Sequence, residues 1–154
     1  MISEWDALGR ITVALVLGGL IGFDRQRLNK PAGVRTHMLV AAGAALFIVV
    51  AVLLSEGLEG IGTESAKIDV SRIAAGIVTG VGFLGAGAII TRHDRVSGLT
   101  TAAGIWITAA IGTAVGFGFW IIGIGSTVAV LIIYAMAYAA DQRFSQPGDA
   151  DSDV

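Results

Sequence analysis

Residues 72–91 read RIAAGIVTGVGFLGAGAIIT, and the reading of this stretch decides the fold. From Ile73 to Thr91 it carries no charge. At a rise of ~1.5 Å per residue, that run crosses the ~30 Å hydrocarbon of a bilayer. Inside it sit Gly76, Gly80, Gly82, Gly85 and Gly87. In water each glycine within a helix costs ~1 kcal/mol relative to alanine, which would make this a poor soluble helix. Lipid reverses the judgement, because the backbone has no other hydrogen-bond partners there and small residues admit a neighbouring backbone. Gly76, Gly80 and Gly87 share one stripe, with Gly82 and Gly85 on an adjoining one. Two stripes predict two neighbours and so place this span in the middle of a bundle. The same glycines would also suit a kink, or carbonyls turned towards an ion or water.

Working outward, further apolar runs extend the pattern to five spans, at about 8–23, 37–55, 72–91, 99–116 and 120–140. The uncharged run from Leu99 to Ala140 is too long for one helix, and GFGFW at Gly116–Trp120 is the expected break. The fold class is therefore all-α, a polytopic bundle of five transmembrane helices. Residues 1–143 form the membrane domain, and 144–154 form a disordered acidic tail. A chain 55% hydrophobic and 14% charged leaves little room for another class. The net charge of −2 gives no reason to expect nucleic acid, and the lack of cysteine excludes disulfides and thiolate chemistry. The acidic start, MISEWDALGR, is unlike a basic secretory leader, so the first apolar run is expected to be retained.

Five spans put the two ends on opposite sides. The connections 24–36 and 92–98, with the tail, carry Arg25, Arg27, Lys30, Arg35, Arg92, Arg95 and Arg143. The other side carries Arg10, Lys67 and Arg72. The charge bias predicts the N-terminus outside and the C-terminus in the cytoplasm. A parallel two-helix repeat is also suggested at an offset of 65 residues, aligning Gly33 with Gly98, Thr36 with Thr101 and Ala44 with Ala109.

Polar residues gather at the predicted cytoplasmic ends of the spans: Asp24, Arg25, Arg35, Thr36, His37 and Thr101, with His93 and Asp94 nearby. Topology alone accounts for many of the basic ones. It does not account for Asp24, for which a pair with Arg35 or Arg25 is the expected reason. On the other side Asp69 precedes Arg72 by three, which suits an ion pair or a helix cap. A magnesium ion at Asp69 or Asp24 is conceivable, since that ion keeps most of its waters and needs few carboxylates. Two histidines without fixed spacing make a weak metal signal. Gly18 and Gly22 form a helix-packing pair on the first span. Nothing in the chain suggests catalysis, with no nucleophile–base pair, phosphate loop or zinc motif.

The segments GLIGFDRQR, KPAGVRTHMLVAAGAALF, DVSRIAAGIVTGVGFLGAGAII and VSGLTTAAGIWITAAIG, in that order, resemble the successive motifs of the MgtC/SapB family of bacterial inner-membrane proteins. The resemblance covers about the first three-quarters of the chain. It implies a five-span membrane domain linked to magnesium homeostasis, acid stress and virulence, and to restraint of the ATP synthase. The polar cluster at the cytoplasmic ends also leaves open the alternative of a cation pathway, a magnesium or potassium transporter or channel. Asp24 stands where the motif more often has Glu, and Gly76 where many members have Gln. The C-terminal ACT-like domain of many members is not expected here. The expected partners are the lipid bilayer, a second or further copy of the chain, and another membrane protein.

Overall fold

A computed structural model describes residues 2–58, 69–92 and 95–144. Among the described residues five helices are long and apolar enough to cross a membrane. They are α1 (Glu4–Arg27), α2 (Val34–Leu58), α3 (Val70–Gly87), α4 (Leu99–Gly116) and α5 (Trp120–Phe144). A short antiparallel hairpin, β1 (Ile90–Arg92) and β2 (Arg95–Ser97), joins α3 to α4, with Ile90 paired to Ser97. The tail expected over 144–154 lies outside the described residues from 145 onward, as do His93 and Asp94.

Local chemistry sets the ends of the helices. Ser3 caps α1 by accepting a hydrogen bond from the Asp6 amide at 3.1 Å, and Glu4 and Asp6 suit the positive end of the helix dipole. At the other end α1 runs past the apolar stretch to Arg27, so Asp24 and Arg25 lie on the helix and not in a connection. The turn to α2 holds Asn29 and Ala32 at positive φ, with Gly33 just before the helix. The span expected at 72–91 is shorter at its far end. Ala88 caps α3, and Ile90–Arg92 leave the helix for the hairpin. Gly98, at φ 89°, supplies the left-handed turn from β2 into α4. Between α4 and α5 the chain turns at Gly118, again at φ 89°. There Arg10 reaches across from α1, donating to the Gly116 carbonyl at 3.0 Å while pairing with Asp6 at 2.8 Å. The arginine thus satisfies an orphan carbonyl at the end of α4.

The centre of the bundle is α4, not α3. Half of the apolar window of α4 is buried, against 6% for α3. One core cluster joins α1, α2, α4 and α5 through Ala14, Ile21, Ala41, Ile111, Val115 and Val130. A second joins α2, α3 and α4 through Ala44, Val81, Ile105 and Ala109. The expectation of a central third span is therefore corrected, and the reason lies in which glycines the neighbours use. On α4, a β-carbon at Gly112 would stand 2.9 Å from the Ala41 carbonyl carbon, and one at Gly116 2.9 Å from the Ala45 carbonyl oxygen. On α3, β-carbons at Gly76, Gly80, Gly82 and Gly87 would meet nothing within 4 Å, and Gly85 alone approaches Ala102. Gly18 and Gly22 do pack closely, against the backbone of His37 and Val34.

A buried polar cluster at one end of the bundle

The helical stripes that build the core continue into polar residues at the end of the bundle nearest Arg27. On α1 the buried run Ala14, Leu17, Gly18, Ile21, Gly22 ends in Arg25, only 6% exposed. On α2 the buried Ile48, Ala45, Ala44 and Ala41 lead back to His37, which is fully buried. From α4 come Thr101, Gly104 and Thr108, and from α5 comes Tyr134, all buried.

These four helices bring their polar groups together. Arg25 donates a long hydrogen bond from Nη2 to Thr101 Oγ1, at 3.4 Å. Its guanidinium carbon lies 4.8 Å from the centroid of the Tyr134 ring, within cation–π range. His37 Nδ1 stands 3.0 Å from the Gly33 carbonyl oxygen. A carbonyl can only accept, so Nδ1 carries the hydrogen and the neutral ring presents Nε2 as an acceptor. Thr108 donates to the Gly104 carbonyl at 2.8 Å. Four buried atoms of the cluster and its border have no direct partner: Asp24 Oδ2, Arg25 Nε, His37 Nε2 and the Tyr134 hydroxyl. Burying such groups without hydrogen bonds costs a few kcal/mol each, so their grouping in one place is a functional signal.

The structure divides the candidate residues read from the sequence. Arg25, His37 and Thr101 come together, and Asp24 borders them. Asp24 pairs with Arg27 at 3.2 Å, not with Arg35 or Arg25. Arg35 and Thr36 are exposed and stand outside the cluster. Successive helical positions diverge by ~100°, so of Arg35, Thr36 and His37 only one can share the buried stripe. Tyr134 and Gly104 were not among the candidates. The pattern of Gly104, Thr108, Gly112 and Gly116 at four-residue steps was the available signal, since it marks a small-residue stripe on α4.

At the opposite end, Asp69 is the N-cap of α3 and accepts from the Ser71 amide at 3.0 Å and the Ser71 hydroxyl at 2.5 Å. The hydroxyl bond holds the Asp69 carboxyl below its ordinary range. Arg72 is exposed and sits at one end of an apolar groove of about 710 Å³ between α2 and α3, whose walls include Leu39, Phe47, Ile77 and Gly80. Among the described residues no three of His, Cys, Asp and Glu converge as metal ligands would.

Five apolar helices, four of which enclose a polar cluster at one end, define a multi-pass membrane protein of the helical-bundle class. The profile of the MgtC family matches residues 11–143, and the chain belongs to that family. It is 46% identical over 125 residues to the Escherichia coli K12 protein named putative magnesium transporter YhiD, covering 80% of this chain and 57% of that one. To protein SrpB of Synechococcus elongatus it is 44% identical over 139 residues, covering 84% and 74%. To protein MgtC of Salmonella typhimurium LT2 it is 40% identical over 136 residues, covering 88% and 54%. The chain thus spans little more than half the length of YhiD and MgtC. No solved structure matches it. With its relatives bacterial, the chain is a multi-pass protein of a bacterial membrane.

Proposed function

We propose that the chain is a non-enzymatic membrane protein of magnesium homeostasis and stress adaptation that acts by regulating another membrane protein, such as the ATP synthase. The name of its relative YhiD supplies the link to magnesium. The observation that carries the choice of regulator over transporter is Arg25. A permanent guanidinium stands buried among Thr101, His37 and Tyr134, and the nearby carboxylate, Asp24, is already paired with Arg27. A divalent ion ~6 Å from that charge would be repelled by about 5 kcal/mol at an effective dielectric of ~20. Such a cluster suits a locked structural element better than a path for magnesium.

In this reading the N-terminus faces outward and the basic end of the bundle faces the cytoplasm, where a reporter fused after Arg143 would be found. Self-association belongs to the same reading, with the sparsely covered face of α3 as its contact. The transporter alternative rests on the name of YhiD, and would use Asp24 or Asp69 to attract magnesium. Reconstitution decides between them. Purified protein in liposomes is expected to move no magnesium above empty vesicles. Added to inverted bacterial vesicles, it is expected to reduce ATP-driven proton pumping. Magnesium uptake by the wild-type protein that disappears in Asp24→Asn would overturn the proposal.

A further inference from the structure

We infer that an ordered water molecule is bound by His37 and Tyr134 beside Gly104. Two unpartnered buried atoms from different helices face this point. His37 Nε2 lies 3.5 Å from the position a β-carbon would take at Gly104, and the Tyr134 hydroxyl lies closer still. Neither has a direct hydrogen-bond partner, and both side chains are more than nine-tenths buried. Arg25 Nε is a third such atom in the same cluster.

The donor and acceptor balance selects the ligand. In the neutral ring His37 Nε2 accepts, because Nδ1 holds the hydrogen donated to the Gly33 carbonyl. Arg25 Nε can only donate, and the Tyr134 hydroxyl can do either. An anion would be refused by the Nε2 lone pair, and a metal cation by the Arg25 charge. Water both donates and accepts, and buried waters characteristically make about three hydrogen bonds to groups otherwise unsatisfied. Gly104 is what leaves room for the Tyr134 hydroxyl, since any side chain there would start on top of it. Beyond the site the bundle closes over the buried apolar Ala41, Ala45, Ile111 and Val115. This inference stands whatever protein the bundle acts upon.

The test uses the whole chain, carrying ¹⁵N-histidine and His93→Gln so that His37 alone is read, in hydrated bilayers under magic-angle-spinning NMR. Polarisation is expected to pass from water protons to the His37 ring on the timescale of a bound water, and to fall several-fold in Gly104→Ala. Tyr134→Phe gives an independent sign. If the hydroxyl is held through water, its removal lowers the thermal midpoint. If it is simply stranded, removal relieves it and raises the midpoint. A dry His37 ring in the His93→Gln protein, or a raised midpoint for Tyr134→Phe, overturns the inference, and the second reading holds even where Gly104→Ala fails to fold.

Discussion

Replacing Gly22 with alanine adds one methyl group where α1 meets the first turn of α2. The new carbon would stand 2.6 Å from Val34 Cα, 2.7 Å from the Gly33 carbonyl oxygen and 2.9 Å from the Val34 nitrogen. Ordinary contact begins near 3.4 Å, and all three neighbours are backbone, so no side chain can swing aside. The helices must part by most of an ångström, which loosens the seam running on through Gly18 and Ala41. Overpacking of this kind costs about 1–3 kcal/mol, offset by at most ~1 kcal/mol of improved helix propensity. Three backbone contacts below 3.0 Å place the cost in the upper part of that range, so a net loss of about 1–2 kcal/mol is expected for Gly22→Ala. Gly80→Ala is the matched control, because its β-carbon would meet nothing within 4 Å. The monomeric protein should lose no stability from it. Reversible unfolding in bicelles by titration with a denaturing detergent, with the three proteins side by side, measures both. Equal losses at Gly22 and Gly80, or no loss at Gly22, would refute the assignment of the close helix contact to α1 and α2.

Two further outcomes follow from the helix ends. Arg10→Met keeps the apolar stem but removes the bond to the Gly116 carbonyl and the pair with Asp6, and should cost about 1–3 kcal/mol in the same assay. Asp69 gives a pH dependence: its folded pKa is depressed, so its contribution is present above the ordinary carboxylate pKa of about 3.9 and is lost as pH falls through the lower folded value. Amide protection in the first turn of α3 should decline over that acidic window and become insensitive to pH in Asp69→Asn, whereas an unchanged profile in that variant would contradict the cap.

How far the chain could be read beforehand depended on what each segment's signal was made of. The fourth span shows its limits plainly, since Gly98 and the Gly116–Trp120 break bracket an uncharged run, and α4 occupies Leu99–Gly116. The first two spans were read short, because hydropathy stops at the first charge while the helices continue to Arg27 and begin at Val34. Ile89, Ile90 and Thr91 looked like more of the third span. β-Branched residues serve a strand equally well, and only the pairing of Ile90 with Ser97 distinguishes the two. Among the polar candidates the apolar stripe was the missing discriminator. Arg25 continues Ala14, Gly18 and Ile21, and His37 precedes Ala41, Ala45 and Ile48, whereas Arg35 and Thr36 fall off that face. Tyr134 stayed hidden because an aromatic residue near a span's end is commonplace at the membrane interface.

The two helix pairs aligned by the suggested repeat differ in how closely their helices are joined. At the offset of 65 residues, Val34 and Leu99 correspond, and these are the first residues of α2 and α4. Gly33 and Gly98 each stand just before them, and Ala44 and Ala109 are buried in the same cluster. The preceding helices do not keep step. The turn from α1 is a few residues long, and Gly22 comes into close contact with Val34. In the second pair the hairpin β1–β2 intervenes, and Gly87, the counterpart of Gly22, meets nothing within 4 Å. At that offset Arg25 falls on Ile90 and His37 on Ala102, so the second pair has no counterpart of either residue. A buried guanidinium needs its partners held in place, because an unsatisfied one is expensive in a bilayer. The tightly joined pair can therefore hold Arg25 and His37 against Thr101 of α4, while an apolar groove lies on the side of α3 that faces α2.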